Sequence, residues 1–391
     1  MAFGIYIHIP YCEHRCSYCD FTTFAASKLM PISDYVDLLI KEIEQRSEGV
    51  KTKKLDTIYF GGGTPSLLEP RHILTLFTAL AKHGFMFDEK TEITLEMNPS
   101  SAEKNKIDSF IDLGINRFSV GAQSFNKKHL NTCERIHTRD ETIKTLEYLS
   151  QINFNYSLDI LYGLPYQTLS EVLSDLEIAT SFSPNHISSY LLTIPDSHKL
   201  NIGRPHEELQ VEMFNSVIDE LKSSGHEQYE LSNFSKSGME SRHNSLYWSD
   251  QSYWGLGLSA HSYEVDAQSF DSNYEYGCRY WNPQSFKSYQ EQLEGNNTFN
   301  TPYDSLPKEQ KEYLSKFESL TDFCHMHLRT RKGIPYTKLK AKFPNDHRGV
   351  VSRLKSLQTE GLIVEDSQYW ALSHKGQILS NQVFESLLFK I

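Results

Sequence analysis

Three of the six cysteines in this 391-residue sequence, Cys12, Cys16 and Cys19, fall within eight residues, spaced Cys-x3-Cys-x2-Cys. At that spacing one loop lets three thiolates converge on a metal or a small cluster. Zinc sites usually take four ligands, often from two separated Cys-x2-Cys knuckles, whereas Cys133, Cys278 and Cys324 are isolated. Three thiolates on a four-iron cluster would leave one iron open to a small molecule; three buried thiols are the plain alternative. Gly61-Gly62-Gly63-Thr64-Pro65 lets the backbone approach a ligand with no Cβ in the way. The Gly-Lys-Ser/Thr of a phosphate loop is missing, and a tight turn is the simpler reading. Glu96, Gln123 and Asp159 each end or interrupt an apolar run, where they could hold a ribose or an ammonium group, or serve as satisfied structural polar groups. Farther along, Arg242-His243-Asn244-Ser245-Leu246-Tyr247-Trp248 sets an imidazole beside two flat amphipathic rings. His261 and Tyr263 follow closely, and a lone histidine is more often a hydrogen-bonded core residue.

The elements that must position these groups repeat one pattern through the first two-thirds of the chain. Short β-type runs at Gly4–Ile9, Thr57–Phe60, Glu92–Glu96, Arg117–Val120, Ser157–Leu161 and His186–Leu191 alternate with amphipathic helical runs. The first helical run carries Val36, Leu39, Ile40 and Ile43, with Ser33 placed as its cap; the third stops at Gly114. Further helices are expected around 140–150, 168–180 and 206–223. Six β/α units imply an α/β fold with a parallel sheet, closed or partly closed into a barrel, with ligands at the carboxyl ends of the strands. A doubly wound open sheet is the alternative on pattern alone. Periodicity weakens over 226–300. From Leu306 onward, helical patterns at 306–320 and 346–360, two short β-type runs and a final helix suggest a winged-helix-like module. Arg348, Arg353 and Lys355 could serve DNA there, but a docking role suits the acidic chain better. The expected division is 1–225, 226–300 and 301–391.

The net charge of −11 argues against nucleic acid as the main partner. No run approaches the roughly 18 apolar residues of a membrane helix, and the start has no basic region of the kind that opens a signal peptide. Six cysteines without a paired framework suit a reducing compartment, so a cytoplasmic location is expected. The 22 Phe and 22 Tyr would serve a flat apolar ligand or simply a large core.

Cys-x3-Cys-x2-Cys directly after the first strand resembles the radical S-adenosylmethionine (SAM) superfamily. The resemblance implies a (β/α)6 partial barrel, a [4Fe-4S] cluster on Cys12, Cys16 and Cys19, and SAM chelated to the open iron. The glycine run resembles that superfamily's Gly-Gly-Thr-Pro motif. Arg135-Ile136-His137-Thr138 and Asp159-Ile160-Leu161-Tyr162-Gly163-Leu164-Pro165 resemble the coproporphyrinogen-oxidase-like branch, in which Tyr6, Gly62, Gly63, Thr64, Glu96, Gln123, Arg135 and Asp159 would contact SAM. That branch holds an oxygen-independent coproporphyrinogen III oxidase, an oxidative decarboxylase, and a family of heme chaperones. The oxidase has a further cysteine where Phe21 stands and an N-terminal extension before the cluster loop, which this sequence reaches at once. His243-Asn244-x-x-Tyr247-Trp248 resembles the motif of the chaperones. The resemblance therefore implies heme bound near His243, Tyr247 and Trp248, or on His261 or Tyr263, and passed to an acceptor protein, with an external electron donor. A homodimer and contact with a membrane surface stay open. Two departures stand out. Thr193-Ile194-Pro195-Asp196-Ser197-His198 lacks the branch's Pro-Gly-Thr, and Cys324-His325-Met326-His327 has ligand-like spacing but reads as packing.

Overall fold

The strands alternate strictly. In Gly4–Ile9, Ile5, Ile7 and Ile9 are fully buried while Gly4, Tyr6 and His8 face the other way, and the same phase repeats as Ile58/Phe60 against Tyr59/Gly61 and Phe118/Val120 against Arg117/Ser119. One face of the sheet is therefore apolar and the other polar. The computed structural model describes residues 2–101, 104–265, 276–294, 301–304 and 306–390. In it β1 (Gly4–Ile9), β2 (Thr57–Gly62), β3 (Glu92–Met97), β4 (Arg117–Gln123), β5 (Tyr156–Tyr162) and β6 (His186–Leu191) run parallel and pair in that order.

Helices α1 (Ile32–Arg46), α2 (Pro70–Lys82), α3 (Lys104–Asp112), α4 (Lys127–Thr132), α5 (Arg139–Gln151), α6 (Leu169–Ser181) and α7 (Glu207–Ser223) intervene. Apart from the short α4, they close the apolar face, where Leu39, Ile73, Leu146, Leu176 and Met213 join the strand residues in one core. Thr138 with Glu141 and Thr168 with Glu171 form capping boxes that fix the starts of α5 and α6. Ser33 does not cap α1. The Asp34 and Tyr35 amides already bond the Pro31 carbonyl, so Pro31 is the cap and Ser33 sits in the first turn, bonded to Asp34.

The segment of weak periodicity adds strands to both edges of the same sheet. β7 (Glu227–Glu230) and β8 (Asn233–Ser235) extend it antiparallel beyond β6. After α8 (Arg242–Trp248), β9 (Tyr253–Leu256) pairs parallel to β1, followed antiparallel by β10 (His261–Glu264), β11 (Cys278–Trp281) and, after α9 (Phe286–Gln292), β12 (Lys311–Tyr313). The twelve-strand sheet runs from β12 to β7 without closing, an open partial barrel. Its concave face is too polar to pack as the apolar interior layers of a closed barrel do.

The helix expected over 306–320 starts only at α10 (Lys316–Leu328), after a Ser315–Glu318 capping box. Residues 311–313 instead form β12, where Glu312 pairs with Arg279 across the sheet. Then α11 (Tyr336–Lys342), α12 (His347–Thr359) and a small antiparallel sheet of β13 (Ile334–Pro335), β14 (Ile363–Glu365) and β15 (Tyr369–Leu372) build a second core with α10. Arg353 is bonded to the Ser386 and Leu388 carbonyls and lies on Phe389, so it serves packing. Among the described residues, no helix is long and apolar enough to cross a membrane.

Candidate functional site

Beyond β1, Tyr11–Cys12 pairs with Phe24–Ala25 and folds the residues between them into a loop. The Ser17 amide bonds the Cys133 carbonyl, the Ser17 hydroxyl bonds Thr132, and His198 Nε2 bonds the Ser17 carbonyl. The loop lacking Pro-Gly-Thr thus holds the cysteine loop in place. Cys12, Cys16 and Cys19 are free thiols on the wall of one cavity of about 490 Å³. Burial pushes the Cys12 thiol up, against hydrogen bonds with Thr64 and Thr23. Among the described residues no three His, Cys, Asp or Glu side chains converge on a single-ion point. Three thiolates on one wall could each hold one iron of a four-iron cluster. Cys133 lies buried behind the loop, packed with Leu161, Leu164 and Leu192.

The rest of this wall comes from the polar face of β2 to β6. Gly62 adopts φ +111°, and a Cβ there would lie 2.4 Å from the His8 ring; one on Gly63 would lie 2.6 Å from the Tyr11 carbonyl oxygen. Only glycine lets this strand end pass so close to β1. Glu96 accepts hydrogen bonds from the Tyr59 hydroxyl at 2.7 Å and the Gly62 amide at 3.0 Å. Burial pushes its carboxyl up to about 7, and that of Asp159, bonded with Ser188 and Ser119, up to about 6. Gln123 takes φ +66° where the β4–β5 register shifts, which turns the end of β4 into the cavity it lines. Arg135 donates to Cys16 Sγ at 3.3 Å, to the Gly121 carbonyl at 2.7 Å and to Asn98 Oδ1 at 3.2 Å. Two carboxylates short of solvation beside Arg117, whose buried Nε is unpartnered, and Arg135 suit a ligand bearing both charges. SAM, with its ammonium, sulfonium and carboxylate groups, is such a ligand.

A second cavity of about 590 Å³ opens on the other side of Phe21, which lines both and is 65% exposed. Tyr247, Trp248, His261 and Met326 are among its walls. So is Tyr6, whose hydroxyl bonds His8 Nδ1 at 3.0 Å and whose ring stacks on Tyr59; it stands behind the first cavity rather than in its lining. His243 lines neither cavity. It is 1% exposed, with Nδ1 2.7 Å from Thr57 Oγ1 and Nε2 2.8 Å from the Tyr247 hydroxyl, and Tyr59 stacks on it at 5.0 Å. With both nitrogens bonded, it positions Tyr247 and has no lone pair facing either cavity.

Thus the structure gathers Cys12, Cys16, Cys19, Gly62, Gly63, Thr64, Glu96, Gln123, Arg135 and Asp159 on one cavity, and Tyr6, Tyr247 and Trp248 on the other. Sequence reasoning missed Arg117, Ser188, Tyr190 and Asn244, which also line the first. Arg117 and Ser188 had a signal, since polar residues in phase with Asp159 on the parallel strands must share its face. In Cys324-His325-Met326-His327, His325 and His327 bond the Phe384 and Phe323 carbonyls and Cys324 is core, while Met326 reaches the second cavity.

The comparisons with known proteins agree with this geometry. The Radical SAM superfamily pattern matches residues 6–179, and that of the HemN C-terminal domain matches residues 314–379. Heme chaperone HemW of Bacillus subtilis is 31% identical over 98% of this chain and 98% of its own length. Heme chaperone HemW of Escherichia coli is 34% identical over 66% of this chain and 69% of its own. Among solved structures, coproporphyrinogen III oxidase (HemN) from Escherichia coli superimposes with a TM-score of 0.81 at 21% identity, covering 100% of this chain and 91% of that one, a likeness of fold. With a full-length relative above 30% identity and the cysteine loop, glycine run and polar strand ends meeting at one cavity, the chain belongs to the HemW heme chaperone family of radical SAM proteins.

Proposed function

We propose that this chain is a heme chaperone that carries a [4Fe-4S] cluster on Cys12, Cys16 and Cys19, binds SAM beside it, holds heme in the second cavity and passes it to an acceptor protein. The observation that carries this reading is the place of α8: Asn244 lines the first cavity, and Tyr247 and Trp248 line the second. One short helix therefore touches both sites. A cluster with SAM on its open iron supplies reductive cleavage of a sulfonium carbon–sulfur bond, with electrons from an external donor. The chain's own residues place and neutralise. Glu96 and Asp159 offer negative charge to the cationic groups of SAM, Gln123 a neutral hydrogen-bonding partner, and the Gly62–Gly63 backbone an unobstructed approach. Arg135 balances the Cys16 sulfur, and Tyr6 backs the wall through Tyr59. Tyr247 and Trp248 give the flat apolar faces of heme a surface from which release stays feasible. The free cysteines suit a reducing compartment, and we place the protein in the cytosol.

Anaerobic titration of the full chain with heme tests the reading. A saturable Soret band should appear, and Trp248→Ala should weaken binding about tenfold or more by removing a large aromatic wall. Heme uptake that never saturates would refute it.

A further inference from the structure

Within the second cavity, four kinds of group could reach a heme iron: imidazole, thioether, phenolate and carboxylate. Most are already committed. His8 has Nδ1 on the Tyr6 hydroxyl and Nε2 on the Thr22 carbonyl at 2.9 Å. The Tyr247 hydroxyl is held by His243 and that of Tyr263 by Asp250 at 2.8 Å, and burial pushes Tyr253 up to about 12, so these phenols keep their protons. Asp20, exposed at the rim as His261 also is, offers a carboxylate rather than an imidazole. His261 differs. It projects from β10 with one side of its ring exposed and the other stacked on Trp281 at 5.6 Å and 21°, and among the described residues no protein group hydrogen-bonds either ring nitrogen. Partial burial, then the nearby Arg279, lower its pKa, which keeps the imidazole in the neutral form that ligates. Met326, a thioether that could also serve heme iron, lines the same cavity from α10.

We infer that heme binds in the cavity between the cysteine loop, α8, β10 and α10 with His261 as its protein iron ligand, and that His243 acts only by holding Tyr247 in the cavity wall. The inference rests on the chaperone reading, since that reading supplies heme as the cargo. It assigns the two histidines different effects. Replacing a direct ligand should cost more than the roughly 10–100-fold typical of an outer partner. Replacing the residue that holds Tyr247 should weaken binding without changing what sits on the iron.

The test is anaerobic titration of the full-length, cluster-loaded protein with ferric heme, read by absorption and electron paramagnetic resonance. The wild type should show saturable histidine-type ligation. His261→Ala should lose it with the affinity reduced more than about 100-fold, and His261→Cys should restore a ligated spectrum shifted to the thiolate type. His243→Asn should keep the histidine-type spectrum at lower affinity, with cluster iron content reporting that it is folded. Wild-type spectra and affinity in both His261 variants would overturn the inference while leaving the chaperone reading intact. So would loss of the histidine signature in a folded His243→Asn. No saturable heme binding by the wild type would instead overturn the chaperone reading, and the ligand assignment with it.

Discussion

Glu96→Gln should make this protein more stable at alkaline pH while damaging its ligand site. Burial raises the Glu96 carboxyl from 4.5 to about 7. At about 1.4 kcal/mol per unit this is roughly 3 kcal/mol. The sign follows from where protons bind. Between pH 4.5 and 7 the folded chain holds a proton that the unfolded chain has released, so stability falls as pH rises through that window. The full cost is present above it, and none is present well below it. A glutamine carries no charge to desolvate. Its carbonyl can take the Gly62 amide, and its NH2 can donate to the Tyr59 hydroxyl, at a loss of about 1 kcal/mol for weaker neutral hydrogen bonds. Urea unfolding should therefore find the variant about 2 kcal/mol more stable at pH 8, with the advantage lost through the window and a deficit of about 1 kcal/mol left well below pH 4.5. Asp159→Asn should act the same way, and the double variant should gain less than the sum because each carboxylate raises the other's cost. SAM affinity should fall in each. A variant that is less stable than the wild type by equal amounts at both pH values would refute the reasoning, since the carboxylate would then already be satisfied without a ligand.

Three further outcomes follow from the geometry. Replacing Cys12, Cys16 or Cys19 with Ala should abolish bound iron in anaerobic metal analysis, while Cys133, Cys278 and Cys324, all buried in packing, should be replaceable by Ala without iron loss. Gly62→Ala should destabilise by about 2 kcal/mol or more and disturb the SAM site, because φ +111° and the His8 ring both oppose a Cβ, as thermal unfolding and SAM titration would record. Lys342→Ala removes the ion pair with Asp250 at 2.6 Å that ties α11 to the loop before β9. It should cost about 1–3 kcal/mol and speed proteolytic release of the C-terminal part.

What the sequence made legible was mostly local in the chain. The cysteine loop, the glycine run and the six leading strands carry their meaning within a few residues, and strict alternation even tells which side chains of β3 to β6 share the cavity. The failures were long-range. Tyr253–Leu256 has no distinctive pattern; it is a strand because β1, nearly 250 residues earlier, offers it an edge. The motif around His243 names residue types within seven positions, whereas its hydrogen-bond partner Thr57 lies 186 positions away. His261 and Met326 could not be joined from spacing, since β10 and α10 meet only in the folded chain. Over 306–320 the apolar residues fitted a helical period, and at Lys311–Tyr313 pairing with β11 prevailed.

The central claim is that this scaffold hands on heme rather than making its precursor. The most direct measurement gives anaerobic, cluster-loaded protein SAM, a reductant and coproporphyrinogen III, and in parallel offers the heme-loaded protein to apomyoglobin. The account predicts heme transfer to apomyoglobin and no conversion of coproporphyrinogen III. Several turnovers to protoporphyrinogen IX would contradict it, whatever the heme spectra showed.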